Sequence, residues 1–404
     1  MKKIVLLIIV FLITAGAEAQ QKKFGYKFYG QIRTDLFYNS RANEESVDGL
    51  FYMYPKDKVY DADGKDLNSR FSGGFYDLYS RVGVDVKGPQ LWKANTSAKL
   101  EVDFRGTGSS FSVVRLRHAY FNLAWNNHSL LMGQTWHPLY GEVAPQVLNL
   151  NMGAPFQPFS RAPQIRYRYF SGNIQLTGAA IWQSQYLSQG PSGKSQNYIK
   201  NSCIPEIYVG VDYKSSKLLV GAGIEMISLM PRTESIHNEM VYKVNERITT
   251  LSYEVHMKYS NDNLYVAAKS VLGSNLTQVS MLGGYGVKSI NDKTGEQKYS
   301  PNCNSSTWFN IAYGKKWRPA LFLGYMKNLG TSNAITTMYG TGTNVDQLMS
   351  GSAELTYNVP NWKFGFEYNM TSAWYGTLKQ SNGRIIDTHS VTNNRLVGTA
   401  IFMF

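Results

Sequence analysis

The chain of 404 residues carries a formal net charge of +13, with 14% aromatic residues and 28 Tyr and 36 Gly against 13 Pro. Its two cysteines exclude a small disulfide scaffold. A mean hydropathy of -0.29 fits a soluble β protein and a barrel of alternating lipid-facing and water-facing residues equally well, while the aromatic and glycine content favours strands and turns over helices.

In chain order, Lys2 and Lys3 make a positive start, an apolar run covers residues 4–13, and Ala17-Glu18-Ala19 supplies an A-x-A cleavage site. This pattern predicts a secretory signal peptide over residues 1–19 and a mature chain from Gln20. The apolar run is shorter than the ~20 residues of a membrane-spanning helix, and nothing downstream approaches that length. Helical membrane proteins are excluded; barrels are not.

Residues 20–404 show period-2 alternation in stretches longer than the ~5–6 residues usual for soluble strands. Tyr76, Leu78, Val82, Val84 and Val86 share one face, with Asp77, Arg81, Asp85 and Lys87 opposite. Leu100, Val102 and Phe104 alternate with Lys99, Glu101, Asp103 and Arg105; Leu251, Tyr253, Val255 and Met257 alternate with Ser252, Glu254, His256 and Lys258. The pattern slips at His118, and residues 282–287 read either as an extension of the preceding strand or as a hairpin of their own.

Connection lengths separate a barrel from a sandwich. Tight turns are expected near residues 88–91, 126–127, 171–173, 214–217, 260–263, 316–318 and 359–361. Long polar connections are expected over residues 39–73, 106–111, 138–160, 184–204, 230–245, 274–304, 330–347 and 375–390. Seven turns alternating with eight loops predict about sixteen strands: an all-β, transmembrane, antiparallel up-and-down β-barrel with short periplasmic turns and long extracellular loops. Aromatics beside the turns (Tyr26, Trp92, Trp125, Tyr213, Tyr259, Trp317, Tyr357 and Trp362) suit a membrane-interface girdle. Phe402 and Phe404 share the outer face of the last strand and are expected to anchor it at the interface, an ending that resembles the signal read by the barrel-assembly machinery. The location that follows is the outer membrane of a Gram-negative bacterium, with outer-membrane lipid and lipopolysaccharide around the barrel.

The presumed lumen face of the first six strands carries Arg33, Arg81, Lys99, Arg117 and Arg166 at mid-height, with Arg105, Arg115 and Arg168 a step or two away. Asp35, Asp77, Asp85, Glu101 and Asp103 share that face, while Glu254, Glu354 and Glu367 lie at comparable depth on later strands. A cationic wall opposite carboxylates would set a transverse field across a water-filled pore; the bland reading is that these charges pair and keep the lumen wet. Residues 138–160 hold a single charge, Glu142, among Val143, Val147, Leu148, Leu150, Met152, Phe156 and Phe159. Such a loop either folds into the barrel as a constriction or packs against a neighbouring subunit. Cys203 and Cys303 both fall in expected loops, where one bridge or two free thiols are equally compatible with the sequence.

The hairpin Arg115-Leu-Arg117-His118-Ala-Tyr120, followed by Leu130-Leu-Met-Gly133-Gln134-Thr135-Trp136, resembles that of trimeric sixteen-stranded porins, the DcaP-like family among them. The resemblance covers under a tenth of the chain. It implies a homotrimer, a third loop inside the pore, and Arg115 and Arg117 near its constriction. The phosphate-selective porins share the same architecture.

Other signals carry less. Gly190-Pro-Ser-Gly193-Lys194-Ser195 resembles a P-loop, but Ser188 stands where the first glycine is required and no parallel strand precedes it. The six histidines show no zinc-ligand spacing, no catalytic grouping stands out, and the dispersed basic charge fits no nucleic-acid motif. The expected function is a porin without cofactor or metal, passing small hydrophilic solutes and ions with a preference for anions. The alternatives are a substrate-specific channel for phosphate or carboxylates, and a surface-exposed structural or adhesive barrel.

Overall fold

The computed structural model describes residues 24–46, 51–106 and 112–404; the expected signal peptide lies outside them. Sixteen antiparallel strands close a barrel. They are β1 (Gly25–Asn39), β2 (Arg81–Leu91, with an upper segment Ser72–Tyr76), β3 (Ala94–Gly106), β4 (Val113–Ala124), β5 (His128–Trp136) and β6 (Arg161–Ser171). β7 (Ile174–Ile181), β8 (Glu206–Lys214), β9 (Leu218–Leu229), β10 (Ile248–Ser260) and β11 (Leu264–Ser274) follow. β12 (Gln297–Tyr313), β13 (Trp317–Thr331), β14 (Val345–Val359), β15 (Trp362–Lys379) and β16 (Arg384–Met403) complete the wall. Closure is β1 against β16, with Gln31 opposite Met403, and Gly30 and Phe404 exchange backbone hydrogen bonds of 2.9 and 3.1 Å. A Cβ at Gly30 would meet the Phe404 ring at 2.6 Å, so glycine there makes room for the terminal aromatic at the seam.

Alternation sorts side chains as the pleat demands. On β10, Leu251, Tyr253, Val255 and Met257 are exposed on the outer wall, whereas Thr250, Ser252 and Glu254 are buried inside. On β15, Phe364, Phe366, Tyr368 and Met370 point out, and Glu367, Asn369 and Thr371 point in. Among the described residues no helix is long and apolar enough to cross a membrane.

Several boundaries differ from the sequence reading. The first turn is centred on Trp92 and Lys93, both at positive φ (50° and 64°), and not on residues 88–91. A two-residue turn of that kind normally takes Asn-Gly, which is why Trp-Lys hides it. The sixth turn is residues 314–316, begun by Gly314 at φ 99°. The second strand breaks over residues 77–80, which turns Leu78 and Tyr79 inward instead of leaving Leu78 on the lipid face. The slip at His118 is a β-bulge: Glu101 pairs with His118 and Val102 with Leu116, so Arg117 is the extra residue and both Arg117 and His118 are buried. Residues Gly283–Ile290 form a strand laid along the upper end of β12 and against Thr337–Thr341 of the next loop. The last loop shrinks to residues 380–383, because β15 and β16 continue as a hairpin beyond the apolar band and alternation of apolar residues marks only the bilayer.

Of the two states that the sequence left open for Cys203 and Cys303, the structure has two free thiols and no bridge. Cys203 is exposed after the short helix Asn197–Ser202, whereas Cys303 lies within β12, where pleat geometry directs it to the outer face. Alkylation of denatured protein should therefore add two labels whether or not reductant is present, read by intact mass.

Residues 137–160 follow β5 and pack against the inner wall of β11 to β14. Leu139, Val143 and Phe156 join Tyr265, Ala267, Val271, Trp308, Phe322, Met326 and Leu348 in one apolar cluster. Two wall glycines form dents for this loop. A Cβ at Gly324 would stand 2.6 Å from the Phe156 ring, and one at Gly365 would stand 2.5 Å from Leu148. Phe156→Ala should leave strand content unchanged by circular dichroism yet cost about 3 kcal/mol, the usual scale for emptying a buried phenyl site, read by urea titration in lipid vesicles.

Candidate functional site: the pore

Ionisable wall residues clamp the loop's backbone at both ends. The Lys269 ammonium donates to the Leu139 carbonyl and, at 3.1 Å, to that of Tyr140. Tyr265 Oη donates to the Ala144 carbonyl at 2.6 Å. Glu367 Oε2 accepts the backbone N–H groups of Leu148 (2.6 Å) and Asn149 (3.0 Å), and Arg33 Nη2 donates to the Leu148 carbonyl at 2.6 Å. Trp308 Nε1 donates to Gln157 Oε1 at 2.8 Å. Backbone groups that a loop would present to water are thus satisfied by the wall.

These contacts assign different tasks to the residues singled out from sequence. Arg33 is buried, bonded to Asp35 and to the loop. Glu367 is a loop clamp. Glu254 is buried with Lys269 (3.2 Å) and Tyr208 (2.7 Å), and Glu354 lies half-buried opposite Glu367. The carboxylate side of the expected transverse field is therefore largely sealed beneath the loop, which was invisible because no pattern in β11 to β14 announces an occupant.

The opposite wall, β1 to β6, gathers arginines around Tyr79. The guanidinium carbons of Arg33, Arg81, Arg105 and Arg117 lie 5.4, 5.8, 5.3 and 5.0 Å from its ring centroid. Arg117 pairs with Glu101 (2.5 Å) and Asp103 (2.8 Å), Arg115 pairs with Asp103 (2.6 Å), and Arg81 approaches Glu101 at 3.9 Å. Among the described residues, Arg105 of this group and the neighbouring Arg161 have no carboxylate partner. Arg105 is buried, none of its three side-chain nitrogens has a hydrogen-bond partner, and it rests on the Phe51 ring. Arg161, which the sequence reading missed, is buried over Trp136 at 4.6 Å, and its Nη2 donates to Tyr186 Oη at 3.3 Å. Above this cluster opens a vestibule of about 670 Å³, whose lining includes Arg105, Arg115, Tyr186 and Lys194, with Glu44 and Glu45 of the first loop on it as well.

Toward the short turns the wall is wetter and still basic. Lys99 bonds Asp85 at 2.9 Å and is partly exposed, as is Arg168; Arg166 is buried, donating to Gln164 and to the Trp136 carbonyl. Glu142 sits here. Burial pushes its carboxyl upward, but the hydrogen bond and charge of Lys214, with Arg168 and Lys258, hold it below the ordinary carboxylate value.

Topology also brings together His137, Glu206 and Glu225, three residues too far apart in sequence to suggest a site. His137 Nε2 lies 3.2 Å from Glu206 and 3.6 Å from Glu225. The Leu139 N–H donates to His137 Nδ1 at 3.2 Å, which leaves the ring proton on Nε2. A metal-bound imidazole has the opposite tautomer, so the trio acts as a hydrogen-bonded hub fixing the start of the loop.

A closed sixteen-stranded barrel with a long loop inside a basic lumen is the architecture of outer-membrane channels. Residues 14–253 match the DcaP outer membrane protein family, and the chain belongs to it, with its place in the outer membrane. The DcaP outer-membrane channel of Acinetobacter baumannii is similar in structure, with TM-score 0.67, 18% identity, and 95% of this chain covering 99% of that one. OmpT of Vibrio cholerae in its trimer form gives 0.54 at 12% identity over 95% and 100% of the two chains. An anion-selective porin of Comamonas acidovorans gives 0.53 at 10% identity over 95% and 100%. A search of curated proteins finds no match.

Replacing Glu367 by Gln halves the clamp at residues 148–149 by exchanging charge-assisted acceptance for a neutral amide. Single-channel recordings of Glu367→Gln should show more frequent subconductance steps than wild type, as the loop leaves the wall more often.

Proposed function

We propose that this channel passes small hydrophilic solutes by passive diffusion and prefers anions. The observation that carries this reading is the pair Arg105, which lines the vestibule, and Arg161, which lies behind its Tyr186: among the described residues neither buried guanidinium has a carboxylate partner. A buried charge left unpaired costs several kcal/mol, and a passing anion offsets that cost where a passing cation adds to it. The partly exposed cations Arg81, Lys99, Arg168, Lys214, Lys258, Arg318 and Lys363 extend the same sign toward the short turns, against Asp85, Asp212 and Glu142. Small anionic solutes are the partners that this electrostatics favours. The solved anion-selective relative and the trimer form of OmpT support the same reading and a homotrimeric assembly.

A substrate-specific anion channel is the second reading. It is favoured by the aromatic seats of the free guanidiniums, Phe51 and Tyr79 under Arg105 and Trp136 and Phe159 under Arg161. Fixed, desolvated donors of that kind discriminate between solutes more sharply than a wide wet pore.

In planar bilayers under a KCl gradient the reversal potential should report chloride over potassium. Arg105→Gln should lower the permeability ratio by roughly twofold or more, given the field that one fixed charge sets in a narrow lumen. A wild-type potential of cationic sign would sink the proposal. Liposome swelling with phosphate, dicarboxylates and neutral sugars separates the two readings.

A further inference from the structure

The third loop is neutral apart from Glu142, and that one charge is placed among cations from three strands. Glu142 Oε1 lies 2.6 Å from Lys214 Nζ of β8 and 3.7 Å from Arg168 Nη2 of β6. Lys258 Nζ of β10 donates to the Glu142 backbone carbonyl at 3.0 Å. Arg168 Nε has no hydrogen-bond partner, so the cluster retains unused donor capacity. Asp212, the other carboxylate beside it, is already engaged by His256 (2.9 Å) and Gln175 (2.9 Å).

The carboxylate is not needed to hold its own loop. On either side of it the backbone is fixed by Lys269 at residues 139–140 and by Tyr265 at Ala144, and Lys258 takes the Glu142 carbonyl itself. Its side chain keeps 44% of its surface open, facing the part of the lumen where the other cations are half-exposed. A half-exposed ion pair of this kind contributes little to stability, about 0–1 kcal/mol, and exchanges readily with another anion. A lysine and a guanidinium on the carboxylate, with a second lysine on the carbonyl of the same residue, gather the cationic donors that a small oxyanion takes.

We propose that Arg168, Lys214 and Lys258 form an oxyanion-binding site at the short-turn end of the pore, and that the Glu142 carboxylate is its tethered, displaceable occupant. A permeating phosphate or carboxylate competes with Glu142 for the same donors, so its apparent affinity is reduced by the fraction of time the site is self-occupied. The loop that narrows the pore thereby also weakens the grip on each anion and lets it leave. This rests on the anion-channel reading.

The test is block of KCl current through the purified full-length channel in planar bilayers, with inorganic phosphate as probe. Glu142→Gln, nearly isosteric and half-exposed, should lower the half-blocking phosphate concentration by about fivefold or more, the lower bound of ordinary coupling between competing states. Lys214→Met in the Glu142→Gln background should raise it again. Asp262→Asn removes one carboxylate from an exposed turn at the same mouth, and it should shift the value less than about twofold, because such charges are screened within about 8–10 Å. Equal half-block in wild type and Glu142→Gln, an equal shift in Asp262→Asn, or no block in either channel at any phosphate concentration would overturn the proposal. Wild-type selectivity, read in the same bilayers, keeps the two ideas apart. Cation preference removes the anion-channel reading beneath it, whereas anion preference with unchanged half-block removes this site alone.

Discussion

The rest of the molecule depends on how an apolar loop is buried inside a barrel whose interior must stay wet. A sixteen-stranded wall encloses more space than its own side chains can fill. Residues 137–160 occupy part of that space by laying Leu139, Val143 and Phe156 onto Trp308, Phe322, Met326 and Leu348. Apolar area leaves water on both surfaces, at roughly 25 cal/mol per Å². The loop's backbone polar groups then need partners, and Lys269, Tyr265, Glu367, Arg33 and Trp308 supply them. Hydrophobic burial places the loop, and a few directed hydrogen bonds set its register.

That placement divides the lumen. On the β10 to β15 side the wall is a packing surface, where Glu367 holds the loop and Glu254 holds Lys269. On the β1 to β6 side the wall keeps its guanidiniums, several of them buried. The proposed anion preference therefore rests less on opposed charged walls than on one charged wall facing a neutral screen. With carboxylates such as Glu254 and Glu367 withdrawn beneath the loop, the basic excess near Tyr79 is less compensated than the linear sequence suggests.

Barrel, strand number, turn asymmetry and the outward face of each strand were legible because lipid on one side and water on the other impose a strict period of two. Trp92-Lys93 and the hairpin above β15 and β16 escaped because turn chemistry and bilayer thickness are different constraints from strand continuity. The bulge at Arg117 was legible only as a fault at His118, and its consequence, two adjacent residues facing inward, needed the partner strand. Lys269 escaped for a different reason. Its neighbours on the inner face are Ala267 and Val271, so a strand dressed for packing gives no cue to a lumen cation. Arg161 was hidden likewise, at the first position of β6 beside a loop read as apolar.

The choice of arginine at positions 105 and 161 follows from the same division of space. An ammonium buried without a counter-ion is strongly hydrated and tends to shed its proton, whereas a guanidinium stays charged, is weakly hydrated, and stacks on aromatic faces. Phe51 and Tyr79 under Arg105, and Trp136 and Phe159 under Arg161, supply those faces. Each cation–π contact is worth about 0.5–2 kcal/mol, enough to lessen the burial penalty but short of cancelling it. Phe51 and Phe159 belong to the first and third loops and meet edge-to-face at 5.0 Å, so the loops that narrow the channel also build the seats of its unpaired charges. Constriction and the proposed selectivity are in this sense one structural feature: a loop pulled off the wall would widen the pore and, in the same movement, return Arg105 and Arg161 to water.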